Sequence, residues 1–152
     1  MARASWCKMH GLTASMKYFK KESHGEHRHA KMVRNYIQYR GAMLEPEGFA
    51  YDMPTVFDFY DELFTSALDL ERKTTEHISL IMAEALRVGD YMTSTWIQKL
   101  VKIQIEEEDE ATQIVDYIMT RGGPGALDAA LEAFRNDPSA ITDTDDWIGD
   151  TF

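Results

Sequence analysis

Glu26 and His29 stand three residues apart in the stretch Glu22–His29, which reads E-S-H-G-E-H-R-H. On an α-helix that spacing puts a carboxylate and an imidazole on one face, about one turn apart, where one metal ion can lie between them. Glu-x-x-His is the unit that inward-facing helices contribute to carboxylate-bridged two-metal bundles. Further candidates are Glu22 on the same segment, Glu71 on the next, and Gln104 with Glu107 on the one after. Carboxylates and imidazole suit iron, manganese or zinc, and a carboxylate such as Glu26 can join two ions, as two-metal chemistry needs. A four-residue pattern alone reads as a solvated helix pair. The metal reading depends on whether separate helices carry these residues inward together, where charges are costly unless paired or bound to a cation.

The elements that must position them are helical. Residues 1–9 read as the end of a helix stopped by His10-Gly11. Thr13, with Leu12 before it, is a plausible N-cap for a helix from about Ala14 to Arg40. Phe19, Glu22, Glu26, His29, Val33, Tyr36 and Ile37 follow each other at helical spacing on one face. Gly41 to Pro54 is irregular and longer than most helix connections. It can travel the length of a bundle, which lets the helices it joins run parallel. Thr55 or Asp58 opens a third helix to about Arg87, with Glu71 on its apolar stripe between Leu68 and Thr75. Val88-Gly89-Asp90 is short enough for an antiparallel neighbour. The fourth helix runs from about Tyr91 to Thr120, with Trp96, Leu100, Ile103, Glu107, Ile114, Ile118 and Met119 on its inner side and Gln104 adjacent. Arg121-Gly122-Gly123-Pro124-Gly125 stops it, and a short fifth helix spans about Ala126 to Arg135. The division is a bundle domain over 1–135 and an acidic tail over 136–152. Trp6, Phe19, Phe57, Phe59, Phe64 and Trp96 are assigned to the core. His24, His27 and most of the run Glu106–Glu110 are assigned to solvated faces, with Glu107, and Glu106 as a further option, pointing in.

Composition narrows the function. The 152 residues suffice for one domain with a sizeable core. Asp and Glu outnumber Lys and Arg 26 to 16, a formal charge of −10. That excludes a general nucleic-acid binder, which must neutralise phosphates, and fits a cationic partner. The single Cys7 excludes an internal disulfide framework and points to a reducing compartment. No apolar run approaches the roughly 20 residues of a membrane span, and the start lacks the apolar core of a signal peptide. The expectation is a cytoplasmic protein with neither nucleic-acid nor membrane partner.

Over roughly residues 4–120 the sequence resembles the non-haem ferritins, especially the bacterial type. The resemblance rests on Ala4-Ser5-Trp6-Cys7, on Glu26-His27-Arg28-His29 with Asn35-Tyr36-Ile37, on Asp61-Glu62-Leu63-Phe64, on Asp69-Leu70-Glu71-Arg72, and on Gln104-Ile105-Glu106-Glu107-Glu108. The order and spacing of these motifs are more specific than any one of them. The resemblance implies an all-α, ferritin-like four-helix bundle with a long crossover connection and a short fifth helix. It also implies a di-iron ferroxidase centre. In it, Glu26 bridges two irons, His29 holds the first, Glu71 and Glu107 hold the second, and Gln104 lies beside them. The function implied is oxidation of Fe²⁺ to Fe³⁺ by oxygen or peroxide and storage of a ferric mineral in a hollow homo-oligomeric shell of 24 subunits.

The departures from the family pattern are specific. The family's first helix carries a further Glu ligand two to three turns before Trp6, a position upstream of Met1, so the first helix reads as truncated. The third iron site of bacterial ferritins has carboxylates where this sequence has Gly25 and Ile103, which leaves it only Glu106. The acidic positions of the animal threefold channel correspond to about Ser94 and Ile97. Bacterioferritins and rubrerythrins place a second Glu-x-x-His where this sequence has Gln104-x-x-Glu107. His27 stands at the haem-ligating Met of bacterioferritins, so no haem is expected. Two other readings stay open beside the ferroxidase: a catalytically incomplete subunit or fragment, and a helical bundle that binds a structural metal ion.

Overall fold

The computed structural model describes residues 2–43, 57–121 and 123–135, and all its regular structure there is helical. The helices are α1 (Ala2–Met9), α2 (Thr13–Tyr39), α3 (Tyr60–Arg87), α4 (Tyr91–Arg121) and α5 (Pro124–Arg135). The helix boundaries agree with the sequence reading to within a few residues. Most of the Gly41–Pro54 connection and the whole 136–152 tail lie outside the described residues. Among the described residues no helix is long and apolar enough to cross a membrane.

Backbone chemistry sets the turns. Gly11 (φ 75°) and Gly89 (φ 74°) occupy the left-handed region that a Cβ penalises. At each, the next residue's N–H reaches back to the preceding helix. Leu12 N bonds Cys7 O at 3.0 Å and Asp90 N bonds Ala85 O at 2.8 Å, which satisfies carbonyls the helix would leave open. Asp90 then caps α4, accepting from Thr93 N at 3.0 Å and from Thr93 Oγ1 at 2.7 Å.

The expected Thr13 cap is corrected. Leu12 precedes the first helical residue and makes no side-chain capping bond. The open N–H groups of α2 go instead to Asp128 on α5. Ser15 N donates to Asp128 Oδ1 at 2.7 Å and Ala14 N to Asp128 Oδ2 at 3.2 Å. A tertiary carboxylate replaces a local hydroxyl because it takes two donors at once and carries the charge that a helix N-terminus favours. Ser15 Oγ, fully buried, also donates to Asp128 Oδ1 and pairs with Tyr60 OH.

Side-chain pairings fix the directions. Ser15 meets Tyr60 and Phe19 meets Phe64 (ring centroids 5.0 Å apart), so α2 and α3 run parallel, as the long connection suggested. Tyr36 stacks on Trp96 at 4.0 Å and Arg40 bonds Asp90 at 3.0 Å, so α2 and α4 run antiparallel. Arg3 reaches Ser66, and Trp6 Nε1 donates to Phe57 O at 2.9 Å, which sets α1 antiparallel to α3.

The apolar core lies at one end of the bundle. Ala4, Cys7, Phe19, Phe57, Tyr60, Leu63, Phe64, Ile114, Ile118 and Leu127 form it. Burying a side chain such as Leu63 or Phe64 contributes about 2 kcal/mol. Of the residues expected inward, Trp96 is half-buried and stacks on Tyr36 outside this cluster, and two others face solvent. Phe59 precedes α3 and is 73% exposed, and Met119 is 65% exposed on the outer side of α4. The core thins along α2 and α3. Past Phe19 no α2 residue is buried, and none on α3 is buried between Leu68 and Ala85.

Candidate functional site

Helical register turns most of the polar candidates inward just past that core, while the Glu26 side chain stays 52% exposed. On α2, Glu22, Glu26 and His29 follow buried Phe19 at three- and four-residue steps. On α3, Glu71 comes three residues after buried Leu68. On α4 the buried line Ile97, Leu100, Gln104, Ala111, Ile114, Ile118 carries Glu107 between Gln104 and Ala111.

The structure brings these residues together as two groups. In the first, His29 Nδ1 lies 3.7 Å from Glu107 Oε1 and 3.9 Å from Glu26 Oε2. Both distances are longer than hydrogen bonds. Burial and the neighbouring Arg28 charge lower the His29 pKa. The imidazole is therefore neutral near pH 7, these approaches are not ion pairs, and His29 is in its metal-binding form. In the second group, Gln104, 5% exposed, donates through Nε2 to Glu71 Oε2 at 2.9 Å and to Glu71 O at 3.2 Å. That bond holds the Glu71 carboxylate against α4. Among the described residues, no group of three or more His, Cys, Asp or Glu side chains is drawn tightly enough to hold a metal ion. The two groups flank one space without closing on it.

Electrostatics show what that space lacks. Burial raises the Glu107 carboxyl to about 8, helped by Glu71, Glu26, Glu22 and Glu110. Burial, Glu110 and Glu71 raise Glu22 to about 7. Glu71, Glu26 and Glu110 also shift upward, each chiefly by burial. Removing carboxylates from water beside one another disfavours their charged forms. Only protons or a cation relieve that repulsion, and a neutral imidazole among carboxylates is a donor set for a divalent transition metal.

Several residues here were not singled out by sequence. Glu110 is half-buried and acts on Glu22, so the acidic run is not uniformly a solvated face. Its position three residues after Glu107 was the available signal. Glu108 is half-buried too and accepts a hydrogen bond from Thr75 Oγ1, whereas Glu106 is exposed. Tyr18, with a pKa pushed well above its ordinary value by burial and then by Glu22, sits among the same carboxylates. Burial lowers the Arg3 pKa, and Glu71 and then Tyr18 work against that shift. His24 and His27 are exposed, as expected.

Comparison with known proteins speaks to the family and the fold. Over 115 residues the chain is 28% identical to a bacterial non-heme ferritin of Bacteroides fragilis (strain 638R), covering 76% of this chain and 72% of that one. Over 123 residues it is 26% identical to a bacterial non-heme ferritin of Staphylococcus aureus (strain USA300), covering 80% and 73%. Among solved structures, an open pore ferritin from the archaeon Archaeoglobus fulgidus superposes with a TM-score of 0.78 at 23% identity, over 86% of this chain and 82% of that one. A humanized archaeal ferritin gives 0.81 at 21% identity, over 87% and 81%. At these identities the two structures speak for the fold. The model of the ferritin-like domain matches residues 1–120, and the chain belongs to that ferritin family.

Proposed function

We propose that this chain takes up Fe²⁺ at a two-ion centre between α2, α3 and α4, oxidises it, and contributes to a multi-subunit shell that stores the ferric product. The observation that carries the reading is the set of inward carboxyls raised toward neutral pH around a neutral His29. Such a set is poor as a structural core and good as a cation trap. Family membership makes the cation iron. Glu26 joins the two ions, His29 holds the first, Glu71 and Glu107 hold the second, and Gln104 orients Glu71. Two Fe²⁺ give one electron each to O₂, which with two protons leaves as hydrogen peroxide. The carboxyl protons displaced when iron binds are one source of those protons.

A second reading, a subunit that binds a structural ion without oxidising iron, is favoured by the open spacing of the two ligand groups. One experiment separates them. Fe²⁺ is added aerobically to the 152-residue chain and ferric absorbance is followed. Oxidation clearly faster than in buffer, and lost in Glu26→Ala and His29→Ala, supports the ferroxidase. Zn²⁺ binding without accelerated oxidation supports the structural ion. Light scattering of the same samples reports whether a shell assembles.

A further inference from the structure

A cleft of about 420 Å³ opens between α3 and α4, within the size range of small-molecule sites. Ile78, Val101 and Ile105 give it an apolar wall, and Glu108 and Asp109 put two carboxylates on its α4 side. The buried Gln104 lines it too, and of the residues assigned to the proposed iron centre only Gln104 borders it.

The hydrogen bonds of the lining are one-sided. Thr112 Oγ1 donates to Glu108 O at 2.8 Å, and Ser79 Oγ donates to Thr75 O at 2.8 Å. The single Thr75 hydroxyl hydrogen goes to Glu108 Oε2 at 2.5 Å or to Glu71 O at 3.1 Å. Gln104 spends its amide hydrogens on Glu71. The main-chain N–H groups are spent inside the two helices. The donors of the lining are therefore used, while lone pairs remain on the Gln104 amide oxygen and on the carboxylates of Glu108 and Asp109. Asp109 Oδ2 accepts one bond, from Gln113 Nε2 at 2.7 Å. The cation at the rim is Arg72, whose Nε stands 4.0 Å from Glu108 Oε1, longer than a hydrogen bond, on an exposed side chain.

A lining with acceptors left over and negative charge repels anions and leaves an acceptor-only ligand unbonded. It matches a ligand with donors and positive charge at one end and hydrocarbon at the other. We propose that this cleft is a binding site for a small organic ammonium ion. Its N–H groups bond the Glu108 and Asp109 carboxylates, and its hydrocarbon covers Ile78, Val101 and Ile105. An ammonium group supplies three donors and no acceptor, which is the complement of what the lining offers. The apolar wall selects against an inorganic cation, which gains nothing from it.

The test is a saturation-transfer NMR titration of the 152-residue chain with hexylammonium chloride, beside hexanol and hexanoate at the same concentrations. Hexylammonium is expected to bind saturably and to weaken as salt is added. Hexanol, with the same chain and no charge, should bind about ten-fold more weakly, and hexanoate should not bind. The double variant Glu108→Gln, Asp109→Asn keeps side-chain size and should lose about ten-fold in affinity. Ile105→Lys, at an exposed position, puts an ammonium of the chain's own in the cleft and should abolish binding. Circular dichroism confirms helix content in each variant. No saturable binding of hexylammonium would overturn the site. Equal binding of hexanol or hexanoate would overturn its selectivity for ammonium. Undiminished binding in either variant would place the ligand elsewhere and overturn the assignment to this cleft.

Discussion

Glu107 and Glu22 make the proposed site respond to pH in a direction that can be worked out. Without a cation the folded chain keeps protons on these carboxyls up to about 8 and about 7, whereas the unfolded chain releases them near 4.5. The folded state therefore binds more protons across that window, and the contribution of these groups to stability falls as pH rises through it. A divalent cation must displace the same protons, so its affinity should rise from pH 6 to 8. The groups facing Glu107 are His29, Glu22 and Glu26 on α2, Glu71 on α3 and Glu110 on α4; His29, its pKa lowered by burial, is neutral across this window, and none of them reverses the sign. Zn²⁺ titrations in two buffers of different ionisation enthalpy should show proton release that shrinks toward pH 8, and the apparent melting temperature of cation-free protein should drop over the same range. The candidates Glu26, His29, Glu71, Gln104 and Glu107 were put forward from helical spacing, which sets which face a residue shares with its neighbours. Arg3 was not, since its direction depends on how a short helix docks on α3, a relation between segments that no local spacing contains.

At the scale of the helix, the contact between Asp128 and the first turn of α2 carries the clearest consequence. One side chain satisfies two backbone N–H groups and the buried Ser15 hydroxyl. Asp128→Ala should cost about 2 kcal/mol, within the range for lost caps and orphaned buried donors, read as a lower denaturant midpoint with little change in m-value. Asp128→Asn should recover part of it, because an amide oxygen still accepts. Sequence reasoning placed this helix start correctly and misassigned its cap. A local hydroxyl at Thr13 and a carboxylate from 113 residues away satisfy the same donors, and only the docked α5 decides between them. Phe59 and Met119 were misassigned for a related reason: they sit at or near helix ends, where one residue of register moves a side chain from the inner to the outer face.

Across the whole molecule, order is graded along the bundle. Leu63, Phe64, Ile114 and Ile118 are in the closed end, while Leu80, Ile81 and Leu86 on α3 are more than half exposed. Native-state hydrogen exchange should reflect this. Amides near Leu63 and Ile114 should exchange only through near-global unfolding, while those from Ser79 to Leu86 should exchange through smaller openings. Binding of Zn²⁺ should slow exchange around His29, Glu71 and Glu107 and leave the closed end unchanged. Uniform protection along α3 would contradict the gradient. The parallel course of α2 and α3 was readable from the length of the 41–54 connection. The gradient was not, because hydrophobic periodicity continues along α3 well past the buried cluster.

The Asp128 contact also has a meaning in time. At about 5–20 residues per second, Asp128 is made roughly 6–23 s after Ser15, given their separation of 113 residues. Once α3 is made within that interval, α1, α2 and α3 can meet, but the first turn of α2 still lacks Asp128 for its donors. The final closure of the bundle thus waits on nearly the last helix to be synthesised. A nascent chain stalled before residue 128 should remain more open to protease around Ala14 and Ser15 than the finished protein, however complete its other helices are.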